Sequence, residues 1–195
     1  MARRLLDRAV MFPSRGVKNR RGFTLVELAV VVAIVAILAV IGVVGYRKMI
    51  NTSKVTEGKN VISAIKVAQE HYKAEKGVYL NIGAGTLCPT DGTVAAKGDP
   101  LKKTQWDNTT CASGAWKALP VHVDGPVTFG YATCGGVGTT VADCGASWVT
   151  GWANSGGKPW YTVYAQADLN ADKDLLTKLA SGSGTNQIFV QNEGD

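Results

Sequence analysis

The chain reads as an α+β protein in which one long N-terminal hydrophobic α-helix packs by its C-terminal half against an antiparallel β-sheet of about four strands. Three observations point there. Phe23 to Tyr46 is an apolar run whose only charge is Glu27. From Arg47 to Lys76 the helical period continues, but the pattern becomes amphipathic. Residues 77–160 then hold 15 of the 23 glycines, five of the six prolines, all five tryptophans and all four cysteines. Such a composition suits short strands joined by turns.

The 195 residues are 46% hydrophobic, enough for one sizeable core and too apolar for a disordered chain. The formal charge is +6, and its placement matters more than its size. Residues 1–22 carry seven basic groups against one acid, Asp7, while the other 173 residues carry 14 of each sign. Composition therefore argues against a broad basic surface on the folded part, and no nucleic-acid partner is expected.

As a helix rising about 1.5 Å per residue, the run from Phe23 to Tyr46 spans roughly 36 Å, more than the hydrocarbon layer of a bilayer. Its basic flank is N-terminal, so the positive-inside rule keeps the N-terminus in the cytoplasm and sends the rest across. A secretory signal would end in a small-residue cleavage site after the apolar core, and none is evident after Tyr46. Cleavage after Arg20-Arg21-Gly22 would instead leave the apolar helix in the mature protein.

The string Arg21-Gly22-Phe23-Thr24-Leu25-Val26-Glu27, followed by the apolar run through Ala39, closely resembles the prepilin signal of type IV pilins and type II secretion pseudopilins. The resemblance implies cleavage after Gly22 by a membrane-embedded prepilin peptidase and N-methylation of Phe23. It further implies that Glu27 guides assembly by pairing with the N-terminal amine of a neighbouring subunit. A carboxylate in hydrocarbon costs several kcal/mol unless it is paired, so such a partner explains its presence. The competing reading leaves Glu27 at the interfacial edge of the helix, reaching toward headgroups. The implied divisions are a basic leader (1–22), a hydrophobic membrane and filament-core helix (23–50) and a globular head that includes the amphipathic half of the helix (51–195). Many pilins carry a helix-bending proline near the position of Val44; this chain has none, and Gly42 and Gly45 flank the place.

In the amphipathic half, Ile50, Val61, Ile62, Ala64, Ile65, Ala68 and Tyr72 fall near one stripe, with Lys54, Lys59, Lys66, Glu70 and Lys73 mostly elsewhere. Gly77 suits a C-terminal cap and ends the helix close to Lys76. At about 54 residues the helix is several times the usual globular length, so a head can cover only half of it. Strands are expected at Pro120–Val123, Val127–Thr133, Trp160–Ala167 and Gln187–Gln191. A short helical turn is expected within Asp172–Ala180, and Ser181-Gly182-Ser183-Gly184 reads as a loop before the last strand.

Outside the cytoplasm four cysteines argue for disulfides, and no CxxC pair supports zinc. Of three possible connectivities, Cys88–Cys111 with Cys134–Cys144 is favoured, the first stapling the loop after the helix and the second a loop between strands. Asp168, Asn170, Asp172 and Asp174 alternate oxygen side chains, which is compatible with a calcium ion or with a solvated turn whose side chains bond their own backbone. Glycine and glutamate are absent where an EF-hand-like loop requires them. No other cofactor is expected. His71 and His122 lie 51 positions apart without a nucleophile motif, so His71 reads as a helix-flank residue and His122 as a structural residue in a strand. Neither supports an enzyme. The tryptophans either fill the core or offer aromatic surface to a partner.

The resemblance thus implies a structural subunit of a type IV pilus, major or minor. Its partners would be other pilin subunits, the prepilin peptidase, an inner-membrane assembly platform and, before assembly, membrane lipid. Type II secretion pseudopilin and DNA-uptake pilin are the alternatives, and a membrane-anchored enzyme is the reading from another class. Gly22→Val is expected to leave an uncleaved, membrane-held precursor, whereas N-terminal sequencing of the wild-type mature protein is expected to start at Phe23.

Overall fold

The computed structural model describes the chain apart from residues 1–21, 91, 94–96, 98, 100, 107–111, 150–151, 153–155 and 194–195. One helix, α1 (Leu25–Lys76), precedes strands β1 (Gly83–Cys88), β2 (Gly130–Val137), β3 (Pro159–Ala167), β4 (Thr177–Gly182) and β5 (Thr185–Gln191), with a 3₁₀ turn at Ala112–Ala118 between β1 and β2. The five strands form one antiparallel sheet in chain order, a plain meander. The α+β class expected from the sequence is the class observed. The chain divides into two compact units, residues 1–42 and 43–195. Within the first, the described part of α1 is apolar and exposed along its length.

The second unit is built on the amphipathic half of α1. Val55, Gly58, Val61, Ile62, Ile65, Ala68 and Gln69 are its buried residues. They pack on the inward side chains of the sheet, among them Tyr131 of β2, Val163 and Ala165 of β3 and Leu179 of β4. The register Tyr131↔Ala165↔Leu179 lines these residues up across three strands, so one row meets the helix stripe. The expected stripe is largely present, but Ile50 is exposed, while Val55, Gly58 and Gln69 join it. Gly77 ends the helix as expected: its φ of 77° is left-handed, and its N–H donates to the Lys73 carbonyl at 2.8 Å.

Polar side chains of α1 lock the helix to the sheet: Lys66 donates to the Ser181 hydroxyl and the Thr185 carbonyl at 3.0 Å each, and Gln69 and Glu57 hold it elsewhere. Gln69 is fully buried, with its amide NH₂ donating to the Leu80 carbonyl and the Thr133 hydroxyl (2.9 Å each) and its carbonyl accepting from the Leu80 N–H (3.0 Å). Thr133 passes the chain on by donating to the Thr162 carbonyl. Glu57 accepts from the Thr128 N–H at 2.7 Å and pairs with Lys103, which ties α1 to the segments leading into β2.

The opposite face of the sheet is covered by the β2–β3 connection. Ala132, Cys134 and Cys144 cluster with Trp160, and Ala146 and Val149 with Tyr164 and Ala180. Thr162 fastens this cover by donating to the Ala142 carbonyl at 2.8 Å.

Some expected elements differ. Pro120–Val123 is not a strand; Val121 is buried in irregular chain, and Val127 makes only an isolated bridge to Thr104. β1 escaped notice because Gly83-Ala84-Gly85 has weak strand propensity. The expected helical turn within Asp172–Ala180 is replaced by an irregular turn and β4, since Leu175, Leu176 and Lys178 favour helix locally but Leu179 and Ser181 gain burial only in a strand. Ser181 and Gly182 close β4, and only Ser183 and Gly184 form the turn to β5. His122 lies in exposed irregular chain rather than in a strand.

Helix and sheet approach closely at Gly58, where an added Cβ would stand 2.6 Å from Leu179 Cδ1 and 3.0 Å from Phe129 Cε2. Gly58→Val is therefore expected to destabilise the fold by about 1–3 kcal/mol through overpacking, despite a better helix propensity. Thermal unfolding followed by near-ultraviolet circular dichroism checks this.

Candidate functional site

The residues singled out near the N-terminus sit at the first turn of α1. Gly22 and Phe23 are exposed in extended chain just before the helix, Phe23 at 82%. Thr24 caps the helix: its hydroxyl oxygen accepts from the Glu27 N–H at 3.2 Å, and its carbonyl accepts from the Leu28 N–H at 3.2 Å. Thr24-Leu25-Val26-Glu27 thus has the spacing of a capping box, a signal that marks where the helix starts. Glu27 is the sole acid of the first turn, where a negative charge is favoured by the helix dipole. Its carboxylate stands one turn from Phe23, close to where cleavage after Gly22 would create an amine.

Behind this turn, Leu28, Val31, Val32, Val35, Leu38 and their neighbours are all more than half exposed on every side of the helix. α1 is the one described helix long and apolar enough to cross a membrane. An amphipathic helix would hide one stripe on its own protein; this half has no polar face to give to water. Such a surface is suited to lipid or to other apolar helices.

The cysteine readings fall on both described and masked residues. Cys134 and Cys144 are joined, with Cα atoms 5.6 Å apart, and the bond holds the start of the β2–β3 connection against the outer face of the sheet. Cys88, buried at the end of β1, is also disulfide-bonded. Cys111 lies outside the described residues.

The acidic turn after β3 is arranged around its own backbone. Asp168 is fully buried, and its two carboxylate oxygens accept from the N–H groups of Ala171 (2.8 Å) and Lys173 (3.1 Å). Those two residues have left-handed φ values of 61° and 67°, a strained backbone that the carboxylate fixes in place. Asp172 accepts from the Asp174 and Leu175 N–H groups and from the Asn170 amide, and the backbone donors hold its carboxyl below the usual range. Calcium takes about six to eight oxygens. Here the oxygens of Asp168 and Asp172 are already engaged by donors that a cation would have to displace, and among the described residues no three Asp, Glu, His or Cys side chains converge as a metal site.

The two histidines are apart and exposed. His71 stands 3.8 Å from Glu75 on the helix, and His122 lies 2.9 Å from Asp124. Trp116 and Trp160 are buried, and Trp106, Trp148 and Trp152 are half-buried, so the tryptophans serve chiefly as filling. Trp106 packs edge-on against Trp116 and Tyr131.

Residues 17–43 match the family model of the prokaryotic N-terminal methylation motif. No curated protein and no solved structure matches the chain. The matched stretch takes in Gly22, Phe23, the Thr24 cap and Glu27 and runs along the apolar part of α1. By this motif, placed on an exposed apolar helix with its carboxylate in the first turn, the chain carries the type IV prepilin signal.

Proposed function

We propose that this protein is a structural subunit, major or minor, of a type IV pilus serving adhesion or motility. A prepilin peptidase cleaves after Gly22 and methylates Phe23, and the mature chain is held in the inner membrane by residues 23–50, with its head, residues 51–195, on the far side. An assembly platform then extracts the apolar helix and packs it among those of other subunits in an extracellular filament. The observation that carries the reading is the methylation motif of residues 17–43 on a helix that is apolar on every face and continues without a break into the sheet-bound half. A head fastened by disulfides supports the pilus over a secretion pseudopilus.

Glu27 has a defined part in this process. Apolar contacts along the helix are nearly indifferent to sliding, whereas opposite charges in a poorly hydrated layer favour one register strongly. The carboxylate of a subunit already in place meets the methylated amine of the next and fixes its axial position. The acidic turn, in the same reading, is a structural turn of the head.

Glu27→Ala is accordingly expected to be cleaved and inserted like the wild type but depleted about tenfold or more in sheared surface filaments relative to the inner membrane. Equal incorporation would remove Glu27 from assembly, and absence of the wild-type protein from filaments would favour the secretion reading. For the turn, Asp168→Ala is expected to lower stability by about 1 kcal/mol by removing the acceptor of two part-buried N–H groups. The wild-type melting temperature is expected to be the same in calcium and in chelator. A calcium-dependent rise abolished by Asp172→Ala would instead mark a cation site.

A further inference from the structure

The head contains a cleft of about 520 Å³ where the start of β3, the β4–β5 turn and the end of α1 come together. That size is typical of small-ligand sites. Its floor and walls are aromatic: Tyr79 and Tyr161 stand edge to face with centroids 4.7 Å apart, and Trp152 and Phe189 do the same at 6.2 Å. The wall is a built one, because Gly182 makes room for Trp152; a Cβ there would stand 3.0 Å from its Cζ3.

The charged side chains that line the cleft are two lysines, Lys73 and Lys158, while the Glu70 carboxylate stands behind Tyr79 and accepts from its hydroxyl at 2.8 Å. Lys73 is held over the Tyr79 ring, 4.7 Å from the centroid, with its ammonium donating to the Tyr79 hydroxyl at 3.1 Å, which leaves N–H donors to spare. Among the described residues Lys158 makes no ion pair. Hydroxyls of Ser183 and Thr185 stand at the same cleft. Trp152, half-buried, and Trp160, only 7% exposed, also line the cleft.

We propose that this cleft binds an acidic saccharide, a sugar ring bearing a carboxylate. The apolar C–H face of the ring lies on the aromatic side chains, its hydroxyls meet those of Ser183 and Thr185, and its carboxylate sits between Lys73 and Lys158. A purely apolar ligand leaves the lysines unanswered. A neutral sugar leaves the lysines so. The proposal concerns the head of the single subunit and stands apart from how the subunit is assembled.

The test is titration of the full-length protein, purified in a detergent without a sugar headgroup, with trigalacturonate and with neutral maltotriose. Intrinsic tryptophan fluorescence and saturation-transfer NMR report binding. Trigalacturonate is expected to bind at least about tenfold more tightly than maltotriose, with its affinity falling as salt rises. Lys158→Gln and Trp152→Ala, at positions outside the helix–sheet core, are each expected to weaken it about tenfold while leaving the circular dichroism spectrum unchanged. No detectable binding of trigalacturonate, equal binding of maltotriose, tighter binding of an oligothymidylate, or unchanged affinity in both variants would overturn the proposal.

Discussion

The head depends on one buried side chain, the amide of Gln69. Apolar contacts alone would let the stripe of Val61, Ile62, Ile65 and Ala68 slide or roll on the sheet with little penalty, since packing of this kind tolerates rearrangement. Gln69 removes that freedom. Its three hydrogen bonds go to both backbone groups of Leu80, just after the helix, and to Thr133 on a central strand, so the helix has one rotation and one height at which no buried donor or acceptor is orphaned. Because Thr133 in turn bonds the Thr162 carbonyl, the same chain reaches β3. Glu57, with Thr128 and Lys103, fixes a second point about three turns away and makes the docking unique.

With the inner face settled, the meander determines the outer one. Side chains alternate along each strand, so placing Tyr131, Thr133, Val163 and Leu179 on the helix puts Ala132, Cys134, Tyr164 and Ala180 on the far side. Small residues there leave a shallow surface, and the β2–β3 connection fills it with Ala146, Val149 and parts of Trp148 and Trp152. A long connection has much chain entropy to lose when it is laid on a sheet. The Cys134–Cys144 bond shortens the free segment, and the Thr162 hydrogen bond anchors it again. Burial on this face also keeps Tyr164 neutral to high pH, as burial on the inner face does for Tyr131.

What could be read in the sequence follows from the range over which each signal acts. The helix, its end at Gly77 and the prepilin string are local, and they are found where the residues place them. β3 and β5 were legible from runs of Tyr, Val, Ile and Phe. β1 and β4 were not, because Gly83-Ala84-Gly85 and Thr177-Lys178-Leu179-Ala180 become strands only by pairing with neighbours far along the chain. Gln69 could not be singled out for the same reason: a glutamine on a helix is ordinary until Leu80 and Thr133 are known to lie beside it. The acidic turn was visible as a cluster of oxygens, but the donors those oxygens meet are backbone groups, which no side-chain pattern announces.

The exposed half of α1 explains why the chain is built in two parts. Burying one Leu, Ile or Val is worth roughly 1.5–3 kcal/mol. From Leu25 to Val44, 14 of the 20 positions are such residues, and each of them is more than half exposed. In water this surface would outweigh the whole net stability of a domain, commonly about 5–15 kcal/mol, by driving aggregation. Such a surface calls for an apolar medium, and under the proposed assembly lipid, followed by a packed bundle of like helices, would supply one at each stage. In both media the dispersion and hydrophobic terms are similar, so they do not by themselves decide between staying and leaving. The decision falls to what differs between the media: a carboxylate unpaired in hydrocarbon costs several kcal/mol, and beside an amine in a neighbouring helix it does not. Between Phe23 and Tyr46 that group is Glu27 alone, in the first turn beside the Thr24 cap, and the proposed assembly gives it the amine of the next chain as its partner.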